Sequence, residues 1–413
     1  MESTKRFWKT ILKQNDTCAC SKNSTNSTIM NRWMTRKNKG KHGDNMFQIV
    51  KEKYIMSDET FEKVLAYLPL HALFRARCVC KKWQTLISSP KFIKVRLGIS
   101  LMVASPYHPM VLSQGYGRQC CVFDVVLNKW QNMAPLDFLP YKVTYVAGAS
   151  GLLCLKNCFE LFVISNPMTK SWRNLPRSLN HLAIWQCTTH MFLDAITQVY
   201  KVIVVSQTGV IEIFDSMLNN WIVISTKLPY GVMNVRGGTG AFCNGFIYCI
   251  VDEGFRSKCS GVIAYDVQLA IWSSILVALP LGFGEMRSSQ SLQPRCLSAS
   301  LIECKGCVML VAEKLQLGAA HIHIFELQLM SLTWLEVTFM PFEFESFRQG
   351  LRIDGVVVHG NLICFTSQTG NMTLLDVTTR SWQQLPKCPL LMGKNNNSEI
   401  AIFPFIPSLD VLV

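Results

Sequence analysis

The sequence lacks the features that mark membrane, secreted and disulfide-bonded proteins. No run of eighteen apolar residues occurs, so no transmembrane helix is predicted. The N-terminus has no apolar run that suits a signal peptide. The 17 cysteines are an odd number and scatter through apolar runs, for example at Cys154, Cys249 and Cys364. We therefore expect reduced core thiols in a protein of the nucleus, the cytoplasm or both.

Motifs for catalysis and metal binding are also missing. No GxSxG turn, P-loop, HExxH helix or paired-carboxylate motif occurs. The chain has 8 histidines, and although His321 and His323 would share one face of a strand, no third ligand stands near them. Cys18 with Cys20 and Cys120 with Cys121 have the wrong spacing for zinc. We therefore expect no catalytic residue, no metal and no cofactor.

Charge divides the chain into three parts. Residues 1–53 hold 12 Lys/Arg against 4 Asp/Glu, residues 54–100 hold 8 against 3, and the remaining residues hold 21 against 20. The first part is rich in Asn, Ser and Thr without periodicity, which predicts a flexible basic tail over 1–53. Its run from Arg32 to Lys41 fits a nuclear localisation signal or plain solvated disorder. The near-neutral third part argues against direct nucleic-acid binding.

Residues 54–100 have a helical pattern. Phe61, Val64, Leu65 and Leu68 recur at helical spacing, and Pro69 ends this first helix. The pattern predicts one further helix after Pro69, ended by Pro90, with an apolar face made of Leu73, Ala76, Val79, Cys80, Trp83, Leu86 and Ile87. A module this small cannot bury the apolar faces of both predicted helices against its own residues. The alternative is an ordinary helical hairpin that packs into the core of the same chain.

The same stretch resembles an F-box. The match rests on Leu68-Pro69, Leu73, Arg75, the run from Arg77 to Lys81, Trp83, Leu86-Ile87, Pro90 and Phe92, in an unbroken register. Met56-Ser57 stands where F-boxes commonly open with Leu-Pro. The resemblance implies binding to a Skp-family adaptor and, through it, to a cullin scaffold. It implies that Phe61, Val64, Leu65, Leu68, Pro69 and Val79 contact the adaptor.

From about residue 100 onward, a repeated unit replaces the helical pattern. A strand ends in an acidic or amide residue, Trp follows six residues later, and Leu-Pro or Met-Pro comes next. The copies end at Trp130, Trp172, Trp221, Trp272 and Trp382, and a sixth, IFELQLMSLTW, ends at Trp334 with two extra residues. Spacings of 42 to 62 residues suit four-stranded blades that stack in a ring. A β-sandwich with coincidental Trp spacing is the alternative.

These repeats resemble the Kelch repeats of plant F-box/Kelch proteins. The likeness rests on Gly151-Leu-Leu-Cys154, Asn166-Pro167, Thr169, Ser171-Trp172 and Leu175-Pro176. The predicted fold is therefore α+β and multidomain. A small helical F-box over 54–100 precedes an all-β, Kelch-type propeller over 101–413, with six blades. The final strand after Trp382 is expected to pair with the first blade and close the ring.

The resemblance implies a non-catalytic substrate receptor of a Skp–cullin–F-box ubiquitin ligase, with an unknown protein substrate. The alternative is a non-degradative interaction protein, such as a transcriptional co-regulator. Basic residues that precede the repeat glycines at similar offsets suggest a rim that binds an acidic or phosphorylated segment. These residues are Lys142, Arg236, Arg295 and Arg352. The alternative is that these four residues are separate surface charges with no shared target.

Overall fold

The computed structural model describes most of the chain from residue 58 onward. The described residues are 58–68, 70–87, 89, 91–92, 95–96, 107–113, 119–125, 127–133, 135–178, 186–194, 197–224, 227–238, 240–253, 260–280, 295–316, 319–341, 344, 353–367, 371–391, 400–405 and 413. The chain divides into two units, residues 1–61 and 62–413. Of the first unit only residues 58–61 are described. The predicted basic tail and its localisation signal lie outside the described residues.

Three short helices form the N-terminal module: α1 (Asp58–Ala66), α2 (Leu70–Arg77) and α3 (Lys81–Ile87). The apolar periodicity after Pro69 predicted one helix, and this prediction was wrong. The chain breaks between α2 and α3, and Val79 is 56% exposed at the break. The module's own core consists of Leu65, Leu73, Ala76, Ile87 and Phe92, all buried.

The rest of the described chain forms six antiparallel sheets. Sheet 1 contains β1 (Tyr107–Ser113), β2 (Cys120–Asp124) and β3 (Lys129–Met133). Sheet 2 contains β4 (Val143–Ala149), β5 (Leu152–Asn157), β6 (Phe162–Asn166) and β7 (Ser171–Asn174). Sheet 3 contains β8 (Cys187–Leu193), β9 (Tyr200–Ser206), β10 (Ile211–Asp215) and β11 (Asn220–Ile224). Sheet 4 comprises β12 (Val232–Val235), β13 (Ala241–Cys243), β14 (Phe246–Glu253), β15 (Ser260–Asp266), β16 (Ile271–Trp272) and β17 (Val277–Ala278). Sheet 5 contains β18 (Arg295–Cys304), β19 (Cys307–Gln316), β20 (Ala319–Gln328) and β21 (Thr333–Phe339). Sheet 6 contains β22 (Ile353–His359), β23 (Leu362–Ser367), β24 (Met372–Asp376) and β25 (Ser381–Gln384). The last strand, β26 (Ile400–Phe403), belongs to sheet 1.

Each sheet is a meander in chain order, with its innermost strand first. Sheet 1 is the exception, because its order is β26–β1–β2–β3 and its innermost strand comes from the chain's last described strand. Met110 pairs with Phe403 across this junction. The predicted pairing of the final strand with the first sheet is therefore confirmed.

Neighbouring sheets touch through their innermost strands. Contacts join β26 to β4, β4 to β8, β13 to β18, β18 to β22 and β22 to β26. Phe192 stacks on Phe242 between sheets 3 and 4, with ring centroids 5.2 Å apart. Tyr145 stacks on Phe403 at 4.1 Å between sheets 2 and 1. Buried apolar clusters lie between successive sheets, so each sheet supplies part of its neighbours' core.

The turn before the outermost strand is the same in every sheet. In sheet 3 the Asp215 carboxylate accepts hydrogen bonds from the backbone N–H groups of Met217 and Leu218 at 2.8 and 3.4 Å. Two residues before each repeat Trp, a residue other than glycine adopts positive φ, which allows a bulged hairpin. These residues are Asn128, Lys170, Asn219, Ala270, Leu332 and Arg380.

The copy ending at Trp334 has no extra residues, which corrects the prediction. Gln328 stands six residues before Trp334 and pairs with Thr333, as Asp215 pairs with Asn220 in sheet 3. The misalignment arose because Glu326 is the nearest acidic residue. Gln328 occupies the turn position, and its main-chain carbonyl accepts a hydrogen bond from the backbone N–H of Leu332 at 2.8 Å.

The repeat tryptophans link successive sheets. The Trp221 indole N–H donates to the Pro176 carbonyl of sheet 2's exit segment at 2.8 Å. Trp130 donates to Pro386 at 2.7 Å, and Trp334 donates to Ala278 at 3.0 Å. Pro176 and Pro386 each belong to the Leu-Pro pair that follows a repeat Trp. These three tryptophans therefore join neighbouring sheets by side-chain hydrogen bonds.

Candidate binding surfaces

The helical module is held by contacts among its own residues. The Arg96 guanidinium donates to the carbonyls of Ala66 and Leu68 at 3.1 and 2.9 Å. These are carbonyls that a helix C-terminus leaves without intrahelical partners, so Arg96 caps α1. Lys91 pairs with the largely buried Glu62 at 3.1 Å. Sequence reasoning missed both contacts, since they join residues about thirty positions apart.

The predicted adaptor residues differ in their accessibility. Leu65 is fully buried, whereas Phe61, Val64 and Leu68 are half-buried. Val79 is the most exposed of the predicted set, and Pro69 lies outside the described residues. Tyr67, at 69% exposed, is a large apolar side chain that the sequence pattern did not single out. Its position just past the apolar stripe of α1 was the available signal.

The topology gives each sheet two unlike ends. At one, which we call the turn end, the two tight hairpins of each sheet meet. At the other, the loop end, the second strand turns into the third and the outermost strand leads to the next sheet. β1 begins at the turn end because it runs antiparallel to the innermost strand β26. The helical module is therefore connected by the chain to the turn end.

Two of the four predicted basic residues, Lys142 and Arg295, stand where innermost strands begin, at the loop end. Lys142 precedes β4 and is exposed, Arg295 is the first residue of β18, and Arg352 precedes β22. The Arg295 side chain and the whole of Arg352 lie outside what is described. Arg236 follows β12, where the innermost strand of sheet 4 is interrupted before β13. The basic rim remains a prediction.

Arg236 has an acidic partner within its own sheet. Its Nε and Nη2 atoms both contact the Asp252 Oδ1 atom, at 2.8 and 2.5 Å. Both side chains are about one-third exposed. The pair cancels most of the Arg236 charge, so an acidic ligand would have to compete with Asp252. The partner could not be inferred from the sequence, because it depends on the pairing of β12 with β14, in which Val235 lies opposite Val251.

A second ion pair lies at the loop end between sheets 2 and 3. The Lys156 side chain is 4% exposed, and its ammonium lies 2.5 Å from the Glu160 carboxylate and over the Phe162 ring. Nearby, the Ser178 hydroxyl donates to the buried Glu212 at 2.6 Å. Buried charges are costly unless they are paired and hydrogen-bonded. Sequence patterns did not identify this polar cluster.

The described histidine and cysteine side chains include a contact between neighbouring strands and buried thiols in the core. His323 contacts Glu336 across β20 and β21 at 2.8 Å. Burial raises the pKa of the Cys249 and Cys364 thiols to about 12, so both are protonated at neutral pH. Within the described residues, no group of three or more metal-ligating side chains occurs. No helix in the described part of the chain is long and apolar enough to span a membrane.

The architecture is that of a small helical module followed by an all-β propeller. The F-box domain model matches residues 55–95, and the model of the F-box associated beta propeller domain matches residues 125–379. The second match alone covers more than half of the chain. The chain therefore belongs to the F-box proteins that carry this propeller domain.

Relatives in Arabidopsis thaliana place it among plant F-box proteins. F-box only protein 6 is 28% identical over 352 residues, which cover 81% of this chain and 70% of that protein. An F-box/kelch-repeat protein is 24% identical over 52% of this chain and 56% of its own length. SKP1-interacting partner 15 is 24% identical over 48% of this chain and 56% of its own length. The chain thus matches little more than half of each of the last two relatives.

Proposed function

We propose that this protein is a substrate receptor of a Skp–cullin–F-box ubiquitin ligase. The observation that carries the proposal is the joining, in one chain, of an F-box module to a propeller domain. The name of one relative, SKP1-interacting partner 15, supports a Skp-family adaptor as the partner. The protein performs no chemistry in this role. It raises the local concentration of a target near a charged ubiquitin-conjugating enzyme, in the nucleus or the cytoplasm.

On the adaptor side, we propose that the exposed apolar residues Tyr67 and Val79 join the half-buried Phe61, Val64 and Leu68 in binding. Exposed aromatic and branched side chains in a module this small supply the apolar contacts that partners bury. The fully buried Leu65 acts indirectly, by holding α1 in place.

On the substrate side, we propose a Kelch-type ring of six blades, one for each sheet, with substrate bound at the loop end. The chain enters the first sheet at the turn end, so the loop end is the end that we propose for the substrate. Lys142 at the start of β4 is the basic residue proposed to contact an acidic or phosphorylated segment. Arg295, the first residue of β18, takes the equivalent position in sheet 5, and Arg236 contributes after exchanging Asp252 for the ligand. Arg352 is proposed to bind the same segment.

Assembly with a recombinant Skp-family adaptor and a cullin tests the first part of the proposal. The full chain should co-purify with both, and deletion of residues 54–100 should abolish this. Targets captured by the wild-type chain should accumulate when the proteasome is inhibited. Stable target levels, despite retained capture, would favour the non-degradative co-regulator. Failure to bind any adaptor would refute the proposal.

Two charge reversals test the substrate surface. Lys142→Glu should weaken target capture at least tenfold, which corresponds to about 1.4 kcal/mol. Lys129→Glu is the matched control, because Lys129 is also exposed but begins β3 at the turn end. Equal capture by the two variants would remove Lys142 from the substrate site while leaving adaptor binding intact.

A further inference from the structure

Two cysteines of the helical module differ from the thiols of the core. Among the cysteines whose burial the structure describes, Cys78, Cys80 and Cys158 are exposed, and each carries a thiol. The apolar periodicity assigned Cys80 to a buried face, and this assignment was wrong. Buried structural thiols are inert, whereas an accessible thiolate attacks disulfides. Cys78 and Cys80 stand two residues apart, so together they are a candidate site of thiol chemistry.

The two cysteines flank one residue in the link between two helices. The whole connection from α2 to α3 is Cys78-Val79-Cys80. The chain turns here, and the Val79 N–H donates to the Ala76 carbonyl at 3.1 Å. Cα atoms two residues apart lie within about 7.2 Å of each other, and closer in a turn. Disulfides join Cα atoms that are roughly 4.4–6.8 Å apart, so the two thiols can be joined without unfolding either helix.

The charge around this link favours an anionic reagent. Lys81 and Lys82 follow the link and are exposed, and Arg77 precedes it. Residues 54–100 hold 8 Lys/Arg against 3 Asp/Glu. Glutathione is an anion at neutral pH, because its carboxylates outnumber its amine. Basic side chains raise the local concentration of such an anion. Oxidised glutathione is therefore the disulfide that suits this site best.

The link also contains part of the proposed adaptor surface. Val79 lies between the two cysteines and is 56% exposed. A mixed disulfide with glutathione would place a charged tripeptide beside Val79, and burying that charge against a partner is costly. A disulfide between Cys78 and Cys80 would instead enclose the Val79 backbone in a small ring. Either product alters the surface that an adaptor would bury.

We propose that Cys78 and Cys80 form a thiol switch that oxidised glutathione closes and that then weakens adaptor binding. One thiolate attacks a sulfur of oxidised glutathione, which gives a mixed disulfide and releases one reduced glutathione. The other thiolate attacks the cysteine sulfur of the mixed disulfide and releases the second reduced glutathione. Two protein thiols are oxidised and one glutathione disulfide is reduced, so electrons and protons balance. The switch rests on the proposed function, because it acts on an adaptor-binding module.

Titration calorimetry, combined with mass spectrometry of the full chain, tests this switch. The reduced chain should bind a purified Skp-family adaptor. After treatment with oxidised glutathione, the peptide that contains both cysteines should have lost two hydrogen atoms, and adaptor affinity should fall at least tenfold. Dithiothreitol should restore the affinity, because the exchange is reversible.

Three variants assign the effect to the two cysteines. Cys78→Ser/Cys80→Ser should bind the adaptor like the reduced wild type and should keep that affinity after treatment. Cys80→Ser alone should stop at the mixed disulfide and gain the mass of one glutathione. Cys158→Ser is the matched control, because it removes an exposed thiol outside the link and should respond to treatment as the wild type does.

A second measurement needs no variant. Saturating adaptor should slow the alkylation of Cys78 and Cys80 by iodoacetamide at least tenfold, because both would occupy the same surface. The alkylation of Cys158 should proceed at an unchanged rate. Equal rates at the pair with and without a bound adaptor would overturn the proposal.

The outcomes separate the switch from the function on which it rests. Unchanged adaptor affinity of a wild type whose Cys78–Cys80 disulfide has formed would overturn the switch and leave the adaptor-binding role intact. A pair that stays reduced during treatment would do the same, as would an equal loss of affinity in the double serine variant. A reduced wild type that binds no adaptor would refute the proposed function itself, and the switch with it.

Discussion

Sheets 3 to 5 and sheets 6, 1 and 2 share one internal frame but present opposite outer surfaces. In both halves a residue with positive φ stands two positions before the Trp of the outermost strand. The residue directly after Trp is apolar in sheets 3 and 5, such as Leu335, and polar in sheets 6, 1 and 2, such as Gln383. A few repeated positions thus maintain the backbone. The outward positions are free to differ, and it is there that binding properties can diverge.

The largest expected effect comes from removing a tryptophan of the shared frame. Trp221 is 6% exposed, packs against Phe162 and Phe214, and donates to Pro176. Trp221→Ala should lower the free energy of unfolding by about 3–5 kcal/mol, as other buried aromatic truncations do. Chemical denaturation of the full chain measures this. A parent-like midpoint would show that the frame does not depend on its tryptophans.

A milder pair of substitutions sharpens the comparison between the halves. Trp221→Phe removes a donor that Pro176 uses, whereas the buried Trp382 Nε1 has no hydrogen-bond partner in the described residues. Trp221→Phe should therefore cost about 1 kcal/mol more than Trp382→Phe. Equal costs would mean that the indole hydrogen bond adds nothing to the link between sheets.

A pH-dependent effect, smaller than that of Trp221→Ala, is expected from the innermost strands. His190 of β8 lies beside Gly240, and its buried Nε2 atom has no hydrogen-bond partner among the residues that the structure describes. Burial lowers the pKa of His190 from 6.5 to about 4. The unfolded chain therefore binds more protons between these values, so stability should fall as the pH falls through this window. The loss at low pH amounts to roughly 3 kcal/mol at most.

His190→Gln should flatten the melting temperature between pH 6.5 and about 4 relative to the wild type. His359→Gln is a suitable control, because His359 ends β22, the innermost strand of sheet 6. An identical pH profile for wild type and His190→Gln would place the acid sensitivity elsewhere.

A further pair of substitutions tests whether the turn is equally important in both halves. Burial opposes ionisation of Asp215, but the backbone N–H of Met217 and the Lys201 ammonium outweigh it and hold the pKa of Asp215 below its usual value. Asp376 makes the equivalent turn in sheet 6. Asp215→Ala and Asp376→Ala should each cost about 1–2 kcal/mol in denaturant unfolding. A large effect in one half alone would break the shared frame.

The frame was accessible from the sequence because it depends on local chemistry. The spacing of Asp215 from Trp221 specifies a turn and a strand in register, and the Leu-Pro pair marked the segment that accepts the next indole N–H. The break at Val79 was not accessible, since the apolar periodicity runs across it without Gly or Pro. The residue that replaces Asp in sheet 5 was also misjudged, because the nearby acidic residue Glu326 was taken for the turn residue, which is Gln328.

Contacts between distant residues could not be predicted in this way. Asp252 neutralises Arg236 only because β12 pairs with β14 in the register that places Asn234 opposite Asp252. Arg96 reaches the end of α1 only after the module has folded. The contrast between the two outer surfaces was visible in the residues after Trp in sheets 3, 5, 6, 1 and 2, but it acquires meaning only when those strands are known to be outermost.

The most direct test of the proposed function is the affinity of the full chain for a purified Skp-family adaptor, measured by titration calorimetry. The account predicts one-to-one binding that Val79→Glu weakens at least tenfold, while Gln84→Glu, on the exposed side of α3, leaves it unchanged. Absence of binding by the wild type would contradict the central claim that the helical module is an adaptor-binding F-box. Undiminished binding by a folded Val79→Glu variant would move the contact surface away from the break between α2 and α3.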